Sequence, residues 1–167
     1  MTRPATVHDA EAIARIHVRT WQVAYEGIVP ADYLAGLSEQ QRTEWWRPQL
    51  ERNRGNVLVA LTDDAVTGWV SFGPGRDDDA MGRAEIFAIY VSPALWGGGI
   101  GRRLMEAAEA ALAGTRGLTL WVLEQNRRAR RFYTAAGFIP DGRRQEITLG
   151  GAGLREIRFA KNFRGAA

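Results

Sequence analysis

A run of glycines at the entrance of a predicted helix restricts this chain more than any other feature. The stretch YVSPALWGGGIGRRLMEAAE leads from a strand into the helix through Gly97, Gly98, Gly99 and Gly101. Glycine is a poor helix former and loses much conformational entropy on folding, so the cluster indicates a demand on the backbone itself. At a helix N-terminus, unpaired N–H groups and the helix dipole converge on one point. The stretch therefore predicts a site for an anionic ligand.

The rest of the chain alternates between helical and strand patterns and predicts a mixed α/β fold. A strand opens the chain, and further strands are expected over 56–62, 66–73, 83–91, 118–123, 138–149 and 154–161. Helices are expected over 7–24, 31–52, 101–113 and 127–136, the second of them broken at Gly36 and Pro48. With 167 residues and 46% hydrophobic content, the chain is expected to form a single domain over residues 1–167.

The composition excludes several kinds of chemistry. The chain has no cysteine, which removes disulfides, thiolate metal sites and an acyl-cysteine intermediate. With two histidines, His8 and His17, no metal site is expected. The net charge of +3 suits an anionic ligand but is too small to indicate nucleic acid. The first twenty residues contain no apolar core segment, so we expect no signal peptide or membrane anchor, and a cytoplasmic location.

Three nucleotide-binding patterns compete for the glycine stretch. A phosphate loop of the form G-x-x-x-x-G-K-[ST] needs Lys and then Ser or Thr after its last glycine, where this chain has Arg102 and Arg103. A dinucleotide pattern G-x-G-x-x-G that starts at Gly97 needs glycine at Arg102. A pyrophosphate cradle built on Gly99 and Gly101 at the start of a helix has no such conflict. The residues favour this third pattern.

The stretch resembles the pyrophosphate loop of the GNAT superfamily of N-acetyltransferases, whose pattern is Q/R-x-x-G-x-G/A. Trp96 stands where Gln or Arg is usual, whereas Gly99 and Gly101 match. A second segment, NRRARRFYTAAGF over 126–138, is similar to the family's N-x-x-A-x-x-F-Y-x-x-x-G-F. The resemblance extends to the element order over nearly the whole chain. It implies a mixed, mostly antiparallel seven-stranded sheet flanked by about four helices, with acetyl-CoA as donor and a primary amine as acceptor.

The resemblance also implies which residues bind the cofactor. Backbone groups of 89–91 are expected to pair with the pantetheine like an added strand, and the Val91 N–H to polarise the thioester carbonyl. Asn126 is expected to bond the pantetheine or to stabilise the splayed strand; its alternative is the N-cap of the following helix, and the two roles are compatible. The expected cofactor-binding residues are Ile89, Tyr90, Val91, Gly97, Gly98, Gly99, Ile100, Gly101, Arg102 and Asn126.

Two side chains are candidates for the chemistry of amine acylation, which needs a neutral amine and a proton for the thiolate. Glu85 has the spacing to Gly99 of the base glutamate in the histone-acetylating branch, and is expected to act through water. Its alternative is a strand-end carboxylate paired with an arginine. Tyr133 is the expected general acid, because a phenol with a pKa near ~10 can protonate a departing thiolate. Its alternative is an aromatic anchor of its helix.

The acceptor is less well defined by the sequence. The helical region that covers the acceptor in this family has four aromatic residues, which are expected to line a pocket for an apolar or aromatic amine or to pack in the core. They are Trp21, Tyr25, Trp45 and Trp46. His17 is expected to be a satisfied buried histidine, with an acceptor contact as the alternative. For the run Asp77–Asp79 we expect a solvated loop, with a cation site as the alternative.

The function expected from these features is direct acetyl transfer to a small-molecule or peptide amine in a ternary complex. A non-catalytic acyl-CoA sensor on the same scaffold is one alternative, and an N-acyltransferase that uses a longer acyl-CoA is another. The arginines over 127–131 are spread around their helix, so neither nucleic acid nor a membrane is an expected partner. A homodimer is possible in this family.

Overall fold

The structure is a computed structural model that describes residues 1–52 and 56–163. Within these residues seven strands and five α-helices alternate along the chain. The strands are β1 (Thr2–Pro4), β2 (Val57–Thr62), β3 (Ala65–Pro74), β4 (Ala84–Val91), β5 (Gly117–Leu123), β6 (Ile139–Leu149) and β7 (Ala152–Asn162). The helices are α1 (Ala10–Ala24), α2 (Ala31–Ala35), α3 (Glu39–Arg52), α4 (Ile100–Ala111) and α5 (Arg127–Ala135). Short 3-10 turns over Val7–Asp9 and Pro93–Leu95 precede α1 and α4.

The strands form one sheet in the order β1-β2-β3-β4-β5-β7-β6. Neighbouring strands are antiparallel except β4 and β5, which are parallel. The predicted mixed, mostly antiparallel seven-stranded α/β sheet is therefore confirmed. Five helices stand where about four were predicted, because the region 31–52 divides at Gly36 into α2 and α3.

The prediction that Pro48 also breaks this region was wrong. Helix α3 continues through Pro48 to Arg52. Proline holds φ near the helical value, so its cost here is one missing backbone hydrogen bond and a steric clash with the preceding turn. Trp46 and Leu50, on either side of it, are buried at 4% and 3% exposure. Their packing against the sheet favours a continuous helix.

The two parallel strands separate soon after they meet. Only Ala84 pairs with Leu118 and Glu85 with Thr119, and beyond these pairs β4 and β5 are no longer hydrogen-bonded. Phe87 lies at a bulge of β4. The successive β3 residues Ser71 and Phe72 pair with Ala88 and Ile86, which leaves Phe87 without a partner on β3. A bulge bends a strand and increases its twist, which is consistent with the opening of a gap between β4 and β5. The family resemblance implied a splayed strand here, whereas the strand patterns themselves did not predict where the gap begins.

Helices cover both faces of the sheet. On one face α4 and α5 pack on the strands through a core that includes Leu104, Met105 and Phe138. On the other face α1 and α3 pack through a core that includes Ile13 and Trp69, and α2 contributes Leu34 to a third cluster near the end of β5. No helix in the described part of the chain is long and apolar enough to span a bilayer.

Candidate active site

A cavity of about 650 Å³ occupies the gap between β4 and β5. Its walls come from the second half of β4, the glycine loop and start of α4, the end of β5, and α5. Helix α1 and strands β6 and β7 close the side that faces away from α4. The opening of the sheet therefore connects its two faces at one place.

The glycine loop ends in the first turn of α4 and forms part of the cavity wall. Gly99 is the N-cap of α4 with φ of 78°, and Gly97 has φ of 85°. Both lie in the left-handed region that residues with a Cβ rarely adopt. The N–H groups of the first helical turn have no partner within the helix and line this wall. The predicted arrangement for an anion is present, and Gly97 is required by the turn itself.

Gly101 is required by the packing of the protein itself and not only by a ligand. A Cβ on Gly101 would lie 3.2 Å from the ring of Phe132 and 3.8 Å from Val91. The absence of a side chain thus lets α4 and α5 approach each other beside the cavity. Close helix packing was not part of the prediction for this glycine.

Trp96 connects the glycine loop to the end of β4. Its indole Nε1 donates a 2.8 Å hydrogen bond to the Val91 carbonyl, which also accepts a 3.2 Å bond from the Thr20 hydroxyl. The guanidinium of Arg128 lies 3.9 Å from the centre of the Trp96 ring, a cation–π contact. Trp96 therefore fixes the loop with an aromatic side chain and brings a cation from α5 to the loop.

The β3–β4 ladder determines which backbone groups of β4 face the gap. The Ser92 N–H donates to the Thr67 carbonyl at 2.9 Å, and the register places Tyr90 opposite Trp69. Hydrogen-bonded and non-hydrogen-bonded pairs alternate in an antiparallel ladder. The N–H groups of Ile89 and Val91 consequently turn away from β3 and toward the gap. The Tyr90 backbone faces β3, while its side chain lines the cavity.

Asn126 lies between β5 and α5 and lines the cavity. It is buried, and its side-chain oxygen accepts a 3.1 Å hydrogen bond from the Ala129 N–H, which makes it the N-cap of α5. The Asn126 N–H in turn donates to Leu123 at 2.9 Å. The cap sets the direction in which α5 leaves the sheet, and thereby the position of Tyr133 about two helical turns later.

Tyr133 reaches the cavity from α5 and is 8% exposed. Within the described residues its hydroxyl makes no hydrogen bond, so the group is available to a ligand. Burial, with a smaller effect from Tyr90, raises the pKa of Tyr133 well above its usual value. The phenol therefore keeps its proton at neutral and moderately alkaline pH, which suits a donor.

Glu85 lies at the point where β4 and β5 are still paired. Its neighbours Ala84 and Ile86 belong to the core beneath α4, so the Glu85 side chain points to the opposite face, the face covered by α1. It is 2% exposed, and both of its oxygens accept hydrogen bonds from Arg76, one of them from Nε at 3.0 Å. Glu85 is not among the residues that line the cavity. The arginine pairing considered for it is present.

Glu156 is a cavity residue that the sequence did not single out. It lies on β7 opposite Leu123 and forms part of the cavity wall. Gln145 donates a 2.7 Å hydrogen bond to its Oε2, and no described residue bonds its Oε1. An alternating strand pattern alone does not reveal that this position lines the gap on the other side of the neighbouring strand β5.

The four aromatic residues expected near the acceptor divide into two pairs. Trp21 and Tyr25 line the cavity, and the Trp21 indole donates a 2.9 Å hydrogen bond to the Tyr90 hydroxyl. Trp46 is a core residue, and Trp45 is 50% exposed on α3. Helix α1 therefore supplies the aromatic wall of the cavity, whereas α3 supplies packing.

His17 is buried, but it is not satisfied as expected. Its ring contacts those of Trp21, Trp69 and Tyr90, and neither ring nitrogen has a hydrogen-bond partner among the described residues. Burial, with a smaller effect from Arg42, lowers the pKa of His17 to about 3. The imidazole is therefore neutral near pH 7. His17 does not line the cavity.

The acidic run between β3 and β4 is only in part the solvated loop that we expected. The Asp78 side chain is 84% exposed, whereas Asp77 and Asp79 pair with a cation of the protein itself, a guanidinium. Asp77 and Asp79 bind the guanidinium of Arg158 on β7, with distances from 2.6 to 2.9 Å, and Asp141 on β6 binds its Nε at 2.7 Å. The Arg158 side chain is 4% exposed. The run thus connects the β3–β4 segment to β6 and β7 at one edge of the sheet. No cluster suited to a metal ion occurs within residues 1–52 and 56–163.

Comparison with known proteins agrees with this geometry. Residues 11–138 match the family described as the Acetyltransferase (GNAT) family. The chain is 35% identical over 127 residues to the Uncharacterized N-acetyltransferase YuaI of Bacillus subtilis (strain 168), a match that covers 74% of this chain and 72% of that protein. The fold is similar to the PaiA N-acetyltransferase from Thermoplasma acidophilum in complex with coenzyme A, with a TM-score of 0.79, 21% identity and 98% of both chains covered. It is also similar to yncA from Salmonella typhimurium with its cofactor acetyl-CoA, with a TM-score of 0.72, 24% identity and coverage of 100% and 96%.

The chain belongs to the GNAT family of acetyltransferases. The family resemblance that the two sequence motifs indicated is confirmed, and so is the class of enzyme, an acyltransferase.

Proposed function

We propose that the protein transfers the acetyl group of acetyl-CoA to a primary amine by direct attack in a ternary complex. The observation that carries the proposal is the opening between β4 and β5, where Ile89 and Val91, whose N–H groups do not pair with β3, line the same cavity as the N-terminus of α4. An extended pantetheine fits the first feature and a pyrophosphate fits the second. Both features belong to the wall of the same cavity.

In the proposed reaction the amine nitrogen attacks the thioester carbonyl carbon. The C–N bond forms, the C–S bond breaks, the amine loses a proton to a base, and the thiolate gains one. The Val91 N–H is proposed to stabilise the oxyanion, and Tyr133 to donate the proton to sulfur. Glu85 is proposed as the base on its place in the strand that leads to the glycine loop, and because it lies outside the cavity wall it would act through bridging water. These roles for individual residues go beyond what the fold and the family membership establish.

An assay of CoA release tests the function as a whole. Acetyl-CoA is titrated by calorimetry, and a panel of primary amines is then screened for release of the thiol. Turnover with at least one amine supports the proposal. Tight acetyl-CoA binding with no turnover over the whole panel would favour the sensor, and faster turnover with butyryl-CoA than with acetyl-CoA would favour a longer acyl donor.

Gly99→Ala is expected to raise the Kd for CoA by about tenfold. Gly99 has φ of 78°, so a Cβ strains the turn and moves the first N–H groups of α4 away from the phosphates. Gly114→Ala is the matched control, because Gly114 has ordinary φ and open space around it. Calorimetry with CoA measures both variants. An unchanged Kd in Gly99→Ala would remove the loop from the cofactor site.

Glu85→Gln and Arg76→Gln together separate catalysis from structure at Glu85. Each variant breaks the same ion pair, but only Arg76→Gln leaves a buried carboxylate without its cation, so Arg76→Gln is expected to lower the Tm more than Glu85→Gln does. If Glu85 is the base, only Glu85→Gln lowers kcat, by about 100-fold. The measurements are kcat with a reactive amine and the Tm of each variant. Equal kcat in both variants would leave Glu85 as the structural partner of Arg76.

A further inference from the structure

One carboxylate stands alone in the cavity. Of the described residues that line it, Glu156 is the single acidic side chain. The cations of the wall, Arg102, Arg128 and Arg131, belong to the start of α4 and to α5. Negative charge is therefore concentrated on the β7 side of the cavity, and positive charge on the side of the glycine loop.

Glu156 shares its part of the cavity with phenols. Burial is the main cause that raises the pKa of Tyr25 and of Tyr90, and the negative charge of Glu156 adds to both shifts. The carboxylate is thus within electrostatic reach of both phenols. Trp21 contacts Tyr25 edge to face at 5.0 Å and hydrogen-bonds to Tyr90, so three aromatic side chains form one wall beside it. An alkylammonium group is stabilised between a carboxylate and aromatic faces.

Among the described residues that line this end of the cavity there is no arginine, and Arg42, whose charge reaches Tyr90, lies on α3 outside the cavity wall. Arg158, on the same face of β7 and two residues beyond Glu156, already binds Asp77, Asp79 and Asp141. Arg76 is held by Glu85. A carboxylate on the acceptor, next to its amino group, would lie beside the charge of Glu156 with no cation to balance it.

We propose that Glu156 binds the ammonium group of the acceptor, and that the acceptor is a primary amine on an apolar or aromatic body without a carboxylate on the amine-bearing carbon. The inference rests on the acetyl transfer proposed above. Glu156 acts here as a specificity-determining residue, and it binds the substrate before the base acts.

Three amines that share the 2-phenylethylamine unit test the selectivity: phenethylamine, phenylalanine and phenylalaninamide. We expect kcat/KM for phenethylamine and phenylalaninamide to exceed that for phenylalanine by at least about tenfold. Glu156→Gln is expected to raise KM for phenethylamine by about tenfold with a smaller change in kcat, and to narrow the preference against phenylalanine. The glutamine can still accept the hydrogen bond from Gln145, so the loss reports the charge.

Glu146→Gln is the matched control, since Glu146 lies on β6, pairs with Arg155 and is outside the cavity wall. It is expected to leave KM unchanged. Equal KM in Glu156→Gln and wild type, or equal turnover of phenylalanine and phenethylamine, would overturn the inference.

A binding measurement keeps the inference separate from catalysis. Phenethylamine is titrated by calorimetry into protein saturated with CoA, which carries no acetyl group to transfer. Weaker binding in Glu156→Gln than in wild type supports the ammonium site even if no amine releases CoA, in which case the proposed function alone fails. Equal binding in the two proteins overturns the ammonium site even if turnover is observed.

Discussion

Tyr133→Phe is expected to lower kcat by about 100-fold and to leave the Kd for CoA unchanged. The substitution removes the hydroxyl and keeps the ring, which packs against Phe132, Phe138 and Phe159. Since the hydroxyl makes no hydrogen bond to another described residue, the fold loses nothing with it. The effect therefore falls on the departing thiolate, which loses its donor.

Single-turnover kinetics with a reactive amine measure the effect, and calorimetry with CoA measures binding. Because burial raises the pKa of Tyr133, this group is not expected to produce an alkaline decline in kcat between pH 7 and 9 in the wild type. Tyr33→Phe is the matched control, since Tyr33 lies on α2 outside the cavity wall. Turnover in Tyr133→Phe equal to that of the wild type would leave Tyr133 as an anchor of α5.

Arg158→Met is expected to lower the free energy of unfolding at pH 7 by roughly 3 kcal/mol. The substitution keeps much of the buried aliphatic volume and leaves three carboxylates without their shared cation. Asp79 is partly exposed to water, which places the cost at the lower end of the range for buried networks. Urea denaturation measures the difference. Arg155→Met, which removes the two solvent-accessible ion pairs that Arg155 makes with Glu124 and Glu146, is expected to cost less than about 1 kcal/mol.

The same network predicts how stability depends on acid. The hydrogen bonds from Arg158 are the main cause that lowers the pKa of Asp79 to about 2 in the folded protein. An unfolded aspartate has a pKa near ~3.9, so the folded state binds fewer protons between these values. The contribution of Asp79 is therefore present above about pH 4 and is lost as the pH falls toward 2. Arg158→Met is expected to lose less stability than the wild type over this interval, and parallel pH dependences would contradict the network.

The local features of the site were readable because they depend on residues close in sequence. Gly99 marks a left-handed helix entrance, and Asn126 caps α5 through the N–H three residues on. Such requirements involve φ angles and bonds within one turn, which residue types report directly. The order of strands and helices followed in the same way from local periodicity.

The errors concern contacts between distant segments. Asp77–Asp79 looked like a solvated loop because nothing nearby in sequence pairs with it, whereas Arg158 lies about 80 residues away. Pro48 was predicted to end a helix because the sequence around it does not show that Trp46 and Leu50 pack against the sheet. Glu156 was missed because the alternating pattern of a strand shows which residues share a face, but not which helices or cavities lie against that face.

The sequence by itself determined the family, the element order, the glycine turn and the caps, because each depends on motifs or on interactions within a few residues. Tertiary structure alone decided that β4 and β5 separate after two paired residues, that the arginine paired with Glu85 is Arg76, and that Glu156 lines the same cavity as Tyr25 and Tyr90. Strand pairing and the bulge at Phe87 fix which face each side chain takes. These features depend on the pairing of whole strands across the sheet, which no single segment of the sequence reports.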